Sequence, residues 1–462
     1  MTLIKSISGI RGTIGGKQSI NLTPLDIVKF SAAYAQWLRE RHKKDCCTVV
    51  LGKDARVSGQ MVTNLVVGTL QGMGIHVIDL GLASTPTTEM AVGFMNAEGG
   101  IILTASHNPS QWNALKLLNE KGEFISAEDG GRILKLAENV DYTFSSFDKL
   151  GSHTLNKEMS SRHIQEILKL PYVDVTAINK ADFTVAIDCV NSVGGVIIPQ
   201  LLKALGVENC IELYCEPSGL FPHNPEPLPD HLTEISALIN EKGADVGFVV
   251  DPDVDRLAIL NEDGSVFGEE YTLVAIADYI LKTKNGGNTV SNLSSTQALK
   301  EITEKYGGKY EASAVGEVNV VEKMKEIDAV IGGEGNGGII LPDLHYGRDA
   351  LVGIALFLSQ LAKSGKRCSE LRAGYPDYVI SKNKIELEQG IDVDQILQDI
   401  KEKYASNQVI DTDGVKIIFP GEWVHLRKSN TEPIIRIYAE SVDGQRADSL
   451  AKKIIQDIHF FT

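Results

Sequence analysis

ADVGFVVDPDVDR, residues 244–256, carries a short apolar strand straight into three aspartates at alternate positions, Asp251, Asp253 and Asp255, and closes on Arg256. Three carboxylates placed directly after a buried strand repel one another and lose solvation unless a hard cation neutralises them. A divalent metal is therefore the chemistry this loop points to, with a solvated acidic turn as the competing reading. An EF-hand is excluded although Glu262 falls at the twelfth position. Arg256 occupies the sixth, where that loop needs glycine, and the segment upstream is a strand.

Two other strands end in the same manner. GIILTAS runs into HNP, and DAVIGG runs into EGNGG. Around them, helix and strand alternate. Thr23 caps a first helix, Pro24 takes its first position, and Asp26 faces the positive end of the helix dipole before IVKFSAAYAQWLRERHKK. CTVVLG, the helix GQMVTNLVVGTLQGMG, IHVIDLG and a helix opened by Thr85 and Pro86 follow. A similar module starts near residue 184 and a third near residue 259, the latter ending in DALVGIALFLSQLAKSG with Gly365 as its C-cap. The last ninety or so residues change character. The strands DYVISKNKIEL, GVKIIFP, EWVHLRKS and PIIRIYAE, with helices DVDQILQDIKEKYAS and DGQRADSLAKKIIQDI, read as a smaller α+β domain.

The expected fold is three related α/β sheet domains followed by a C-terminal α+β domain. The expected boundaries are 1–155, 156–258, 259–370 and 371–462, since 462 residues exceed what one core accommodates. Parallel sheets place ligand sites at the carboxyl ends of their strands, so the three loops are expected to converge on a central cleft.

TASHNP presents Ser106 beside His107, with Pro109 stiffening the backbone, which suits an exposed nucleophile; an ordinary serine turn reads equally well from these six residues. No G-x-S-x-G elbow accompanies it, so a serine hydrolase is not indicated. In GGEGNGG, Glu334 and Asn336 offer acceptors to sugar hydroxyls on a backbone whose glycines permit close approach, against the alternative of a solvated glycine turn. RKSNTEPIIR, from Arg427 to Arg436, gathers Arg427, Ser429, Thr431 and turn N–H groups into an anion cradle suited to phosphate, or into a solvated hairpin turn.

Charge narrows the ligand. Forty-five Lys and Arg against sixty-one Asp and Glu leave a net charge of −16, which disfavours nucleic acid and anionic membrane surfaces. The six cysteines form no C-x-x-C pair, so free thiols are expected. No signal-peptide h-region or membrane-length apolar run is present, which places the chain in the cytoplasm.

Taken in order, TASHNP, DPDVDR, GEGNG and RKSNTEP resemble the phosphoserine, metal, sugar and phosphate loops of the α-D-phosphohexomutase family, and SGIRG, GKDAR and FPHNPEPLP match further family segments. The resemblance implies that Ser106 carries a phosphoryl group whose oxygen joins Asp251, Asp253 and Asp255 around one Mg²⁺. It implies Lys116 and His107 as general acid and base with Arg11 beside them. Lys116 is favoured of the two, with acid and base left unassigned between them, because cations such as Arg11 and Arg256 should depress its pKa. It further implies that Arg256, Glu334, Asn336, Arg427, Ser429, Asn430, Thr431 and Arg436 bind substrate. A sugar 1,6-bisphosphate is the implied intermediate and activator, a small phosphosugar the implied substrate, and a monomer or homodimer the implied assembly. Many bacterial members carry Ser, and often His, in the sugar loop where this chain has Asn336 and Gly338. GEGNGG with VGEVNV looks more like archaeal-type phosphosugar mutases and some chains described as phosphoglucosamine mutases. The leading expectation is a phosphoglucosamine mutase. The alternatives are a phosphomannomutase or phosphoglucomutase, a non-catalytic sugar-phosphate binder on the same fold, and a metal-dependent phosphatase.

Overall fold

In the computed structural model, which describes residues 2–6, 9–386, 391–428 and 434–461, the first helix begins as its capping residues dictate. Helix Pro24–His42 has a reciprocal capping box: the Thr23 side chain accepts from the Asp26 N–H, and Asp26 Oδ2 accepts from the Thr23 N–H at 3.1 Å. This helix lies over a seven-stranded sheet, where Phe30, Tyr34 and Leu38 share a core with Val49, Leu51, Ile101, Leu103 and Leu115. Tyr34 is fully buried, and its hydroxyl donates to the Leu118 carbonyl at 2.7 Å, a bond that ties helix to sheet.

The strand order of that sheet is Ile4–Ser6, Gly9–Thr13, Trp112–Leu118, Gly99–Leu103, Thr48–Lys53, His76–Leu82 and His153–Leu155. Thr48–Lys53 runs parallel to both of its neighbours, as an α/β module requires. Trp112–Leu118 has no counterpart among the strands expected from the sequence. It returns antiparallel to Gly99–Leu103 with Ile102 opposite Lys116. Its apolar pattern is interrupted by Asn113 and Lys116, two polar residues that are nevertheless buried, so hydrophobic periodicity did not reveal it.

The aspartate loop has the same construction. Val246–Val250 is parallel to Thr184–Asp188, while Leu257–Asn261 runs back antiparallel beside it. Residues 251–256 are thus the turn of a hairpin at the carboxyl end of a central strand, rather than a strand-to-helix connection. The four-stranded sheet is ordered Leu257–Asn261, Val246–Val250, Thr184–Asp188, Asn209–Leu213.

The chain forms two compact units, residues 1–272 with 336–369, and residues 273–335 with 370–462. The first holds both sheets just described. In the second, Asn288–Asn292 lies between parallel strands Tyr310–Ser313 and Ala329–Glu334. Its other sheet is antiparallel, ordered Val379–Glu386, Ile434–Ser441, Glu422–Lys428, Val415–Phe419 and Gln408–Ile410. Helices Val393–Lys403 and Gly444–Phe461 cover this sheet, with Ile396, Ile400, Ile454 and Ile458 packed on Ile417, Leu426, Ile435 and Ile437. Among the described residues, no helix is long and apolar enough to cross a membrane.

Tyr34→Phe removes a donor from a buried carbonyl without opening a cavity. Urea denaturation should show the first unit destabilised by about 1–2 kcal/mol, and an unchanged midpoint would mean that this bond contributes nothing.

Candidate active site

Ser106 follows strand Gly99–Leu103 and has φ +48°, a left-handed conformation unusual for a residue with a side chain. The surrounding bonds account for it. The Ser106 N–H donates to Thr104 Oγ1 at 3.0 Å, and the Thr104 hydroxyl donates to Asp54 Oδ2 at 2.7 Å. Arg56, buried and paired through Nε with Asp54 at 3.0 Å, spreads its guanidinium under the loop. It donates to the carbonyls of Ser106, Asn108, Pro109 and Trp112 at 2.5, 2.6, 2.7 and 3.0 Å. A planar fork with several donors can hold such a turn from beneath; an ammonium cannot. Sequence reasoning singled out GKDAR but gave Arg56 no role. A buried Asp-x-Arg directly after a strand was the available signal.

The three aspartates are each fully buried. Asp251 Oδ2 accepts the Ser106 hydroxyl at 2.6 Å, and its Oδ1 accepts the N–H groups of Asp255 and Arg256, both at 3.2 Å. Asp253 Oδ2 accepts the Thr85 hydroxyl at 2.6 Å and the Lys116 ammonium at 2.7 Å. Asp255 Oδ2 pairs with Arg348 at 2.7 Å and lies 3.6 Å from Lys116. One oxygen from each of the three carboxylates lies within 4.8 Å of the others. The remaining oxygens of Asp253 and Asp255, Oδ1 in each case, are buried without a hydrogen-bond partner. Buried carboxylate oxygens left unpaired in an all-oxygen group fit a hard divalent cation such as Mg²⁺.

The charges act unequally. Burial and the neighbouring Asp255 and Asp253 charges raise the Asp251 pKa well above the usual carboxylate range. For Asp253, burial works upward too, but the Lys116 ammonium outweighs it and the pKa is lowered. Burial would lower the pKa of Lys116, yet Asp253 and Asp255 reverse the balance and raise it. This corrects the expectation that surrounding cations depress Lys116: it lies against two carboxylates, and Arg348 opposes them only weakly. Burial, followed by the charge of Arg256, holds the His107 pKa well below its ordinary value, with Arg11 and Arg348 acting in the same direction. His107 Nδ1 is 3.3 Å from Ser106 Oγ, so a neutral imidazole stands beside the hydroxyl while Lys116 stays charged.

Arg11 lies on strand Gly9–Thr13 opposite Ala114, on the strand that carries Lys116. Arg256 pairs with Glu226 at 3.1 Å, and Glu226 lies 3.9 Å from His107 Nε2. Thr85, Glu226 and Arg348 have no site role in the sequence reading, although FPHNPEPLP contains Glu226. Nothing in the segments of Thr85 and Arg348 points to a site until the chain brings them to the aspartates. Asn336, in the first unit, turns its Oδ1 to the Gly338 N–H at 3.3 Å. The next residue, Gly337, has φ +80°, and a Cβ there would sit 2.2 Å from the Leu257 carbonyl oxygen, so only glycine closes this turn. In the second unit, buried Glu334 accepts from Asn292 Nδ2 at 2.9 Å and the Gly316 N–H at 3.1 Å. Arg427 pairs with Asp413 at 2.7 Å and is directly opposite the exposed Arg436 on the neighbouring strand. Ser429, Asn430 and Thr431 lie outside the described residues.

A serine hydroxyl held against a buried triad of carboxylates that could hold a cation, on α/β sheets, fits a metal-assisted group-transfer enzyme. The family described as phosphoglucomutase/phosphomannomutase matches with its α/β/α domains I, II and III at residues 3–143, 161–264 and 268–378, and with its C-terminal domain at 384–456. The chain belongs to this family of α-D-phosphohexomutases and has its four-domain α/β architecture. It is 34% identical over 441 residues to a phosphoglucomutase/phosphomannomutase of Thermococcus kodakarensis, covering 94% of this chain and 95% of that one. A phosphoglucosamine/phosphogalactosamine mutase of Sulfurisphaera tokodaii is 32% identical over 460 residues, covering 97% and 98%. The fold is shared with a phosphoglucomutase/phosphomannomutase family protein from Burkholderia thailandensis, with TM-score 0.86 at 23% identity over 99% of this chain and 97% of that one.

Arg56→Lys keeps the charge and loses the fork. Steady-state turnover should fall about 10- to 100-fold through misplacement of the Ser106 loop, while Mg²⁺ affinity measured by calorimetry changes less than about twofold. Equal losses in both would contradict a loop-positioning role. The raised pKa of Asp251 means that its carboxyl keeps a proton to higher pH than usual, and a cation must displace that proton. Mg²⁺ binding should therefore release protons, seen as a buffer-dependent calorimetric enthalpy, and weaken as pH falls. A buffer-independent enthalpy at mildly acidic pH would contradict this.

Proposed function

We propose that this chain is a phosphohexomutase working through a phosphoserine at Ser106, and that its main reaction interconverts glucosamine 6-phosphate and glucosamine 1-phosphate. The observation that carries the reading is the 2.6 Å bond from the Ser106 hydroxyl to Asp251, which sets the nucleophile against the triad that would hold the cation.

When bound by Asp251, Asp253 and Asp255, Mg²⁺ supplies charge neutralisation to a phosphoryl group on Ser106. The protein's own groups do the rest. A hydroxyl of the entering phosphosugar attacks phosphorus, a new sugar P–O bond forms, and the bond from phosphorus to Ser106 Oγ breaks. Neutral His107 takes the proton from the attacking hydroxyl, and the Lys116 ammonium protonates the departing Ser106 oxygen. Reorientation of the resulting sugar bisphosphate and transfer of its other phosphoryl group to Ser106 regenerates the enzyme and leaves the isomeric monophosphate. That intermediate would also prime an unphosphorylated chain.

The second unit, taken by itself, carries groups suited to phosphate and to sugar hydroxyls. Like charges directly opposite on neighbouring strands are unfavourable, and Arg427 and Arg436 in that position are well suited to a shared phosphate dianion. Buried Glu334, fixed by Asn292 and Gly316, offers a rigid acceptor for sugar hydroxyls. The amino-sugar preference is supported by the GEGNGG and VGEVNV segments and by relatives named as phosphoglucosamine mutases. Phosphomannomutase or phosphoglucomutase activity is favoured instead by the name of the Thermococcus relative.

A panel of glucosamine, mannose and glucose phosphates decides between them. The highest kcat/KM should fall on glucosamine 6-phosphate, and Ser106→Ala should lower turnover on every substrate by several orders of magnitude. Equal or faster turnover of mannose or glucose phosphates would overturn the amino-sugar assignment. Undiminished turnover by the Ser106→Ala variant would overturn the phosphoserine.

A further inference from the structure

A second group of metal-ligating side chains lies apart from the aspartate triad. His163, on helix Met159–Lys169, and His345 both direct Nε2 at Asp349 Oδ2, at 2.9 and 3.4 Å. One donor atom of each residue lies within 4.8 Å of the others, and His163 and Asp349 have no exposed surface. Ligand atoms around a tetrahedral ion with bonds of about 2.0–2.1 Å are roughly 3.3 Å apart, so the two measured spacings match the edges of such a site.

The far side of each ligand is also occupied. His163 Nδ1 lies 3.0 Å from Thr87 Oγ1. His345 Nδ1 lies 3.5 Å from Glu89 Oε2. Asp349 Oδ1 accepts the N–H groups of Leu351 and Val352, at 2.8 and 3.3 Å, while capping helix Ala350–Ser364. Glu89 reaches this position only because residue 347 is glycine: a Cβ there would lie 1.9 Å from its carboxylate. Partners of this kind orient metal-bound imidazoles, fix the ring proton on Nδ1 and leave the Nε2 lone pair for the ion.

We propose that His163, His345 and Asp349 bind a second divalent ion of the zinc class. Two imidazoles and one carboxylate select zinc, cobalt or nickel over magnesium, the reverse of the all-oxygen triad. Three protein ligands leave the fourth position to water, on the side where His345 keeps 13% of its side chain exposed. His163 lies in family domain II, and His345 and Asp349 in domain III, with Thr87 and Glu89 of domain I behind them. The ion therefore joins domains II and III directly within the first unit, and domain I through Thr87 and Glu89. It also braces the triad through two short connections, since Thr85 bonds Asp253 two residues before Thr87, and Arg348 pairs with Asp255 one residue before Asp349.

The test uses full-length chain stripped by chelator, dialysed, and titrated with Co²⁺ under visible absorption, and it does not depend on turnover or on the mutase reading. Wild type should bind two equivalents, one of them giving the strong absorption of a tetrahedral nitrogen and oxygen site. His345→Ala, changed where the side chain meets solvent, should lose that absorption and one equivalent. Asp253→Asn should retain the absorption and lose the other equivalent. A wild-type titration that ends at one equivalent with only weak octahedral bands overturns the proposal without reference to any variant's folding, as does tetrahedral absorption that survives in both His345→Ala and His163→Gln.

Discussion

The structure around Ser106 depends on one electrostatic constraint: three carboxylates buried side by side must be compensated. The compensation is assembled from separate segments. Lys116 comes from a returning antiparallel strand, Thr85 from the start of a helix, Arg348 from beyond the GEGNGG segment, and backbone N–H groups from the aspartate loop itself. Two carboxylate oxygens are left over, which is what distinguishes a cation site from a closed ion-pair network. The carboxylates keep Lys116 charged, whereas burial, helped by Arg256, Arg11 and Arg348 and opposed by Asp253, keeps His107 neutral.

Much of this was legible in the sequence. The first helix, the Gly365 cap and the strands leading to Ser106 and Asp251 follow from capping residues and apolar runs whose signals are local. The aspartates were legible because three charges directly after a buried strand are hard to accommodate without a cation. Strand Trp112–Leu118 was not, because its buried Asn113 and Lys116 are polar for reasons that lie in other segments. The direction of the Lys116 pKa was misjudged for the same reason. A sequence shows which cations are near in the chain, whereas the structure shows which carboxylates are near in space. Thr85 and Arg348 act through contacts many tens of residues from their targets, and no spacing rule reaches that far.

The second cluster extends this logic. His163 and His345 are far apart in the chain, and only the fold places both on Asp349. Two sites of opposite ligand chemistry, linked through residues 85–87 and 348–349, would give the first unit both its charge balance and its rigidity.

The central claim is that Ser106 carries the transferred group. Intact-mass spectrometry of dephosphorylated chain incubated with glucose 1,6-bisphosphate and Mg²⁺ tests it most directly. Wild type should gain one phosphoryl group and Ser106→Ala none. An unmodified wild-type chain, or an equal gain in the variant, would contradict it.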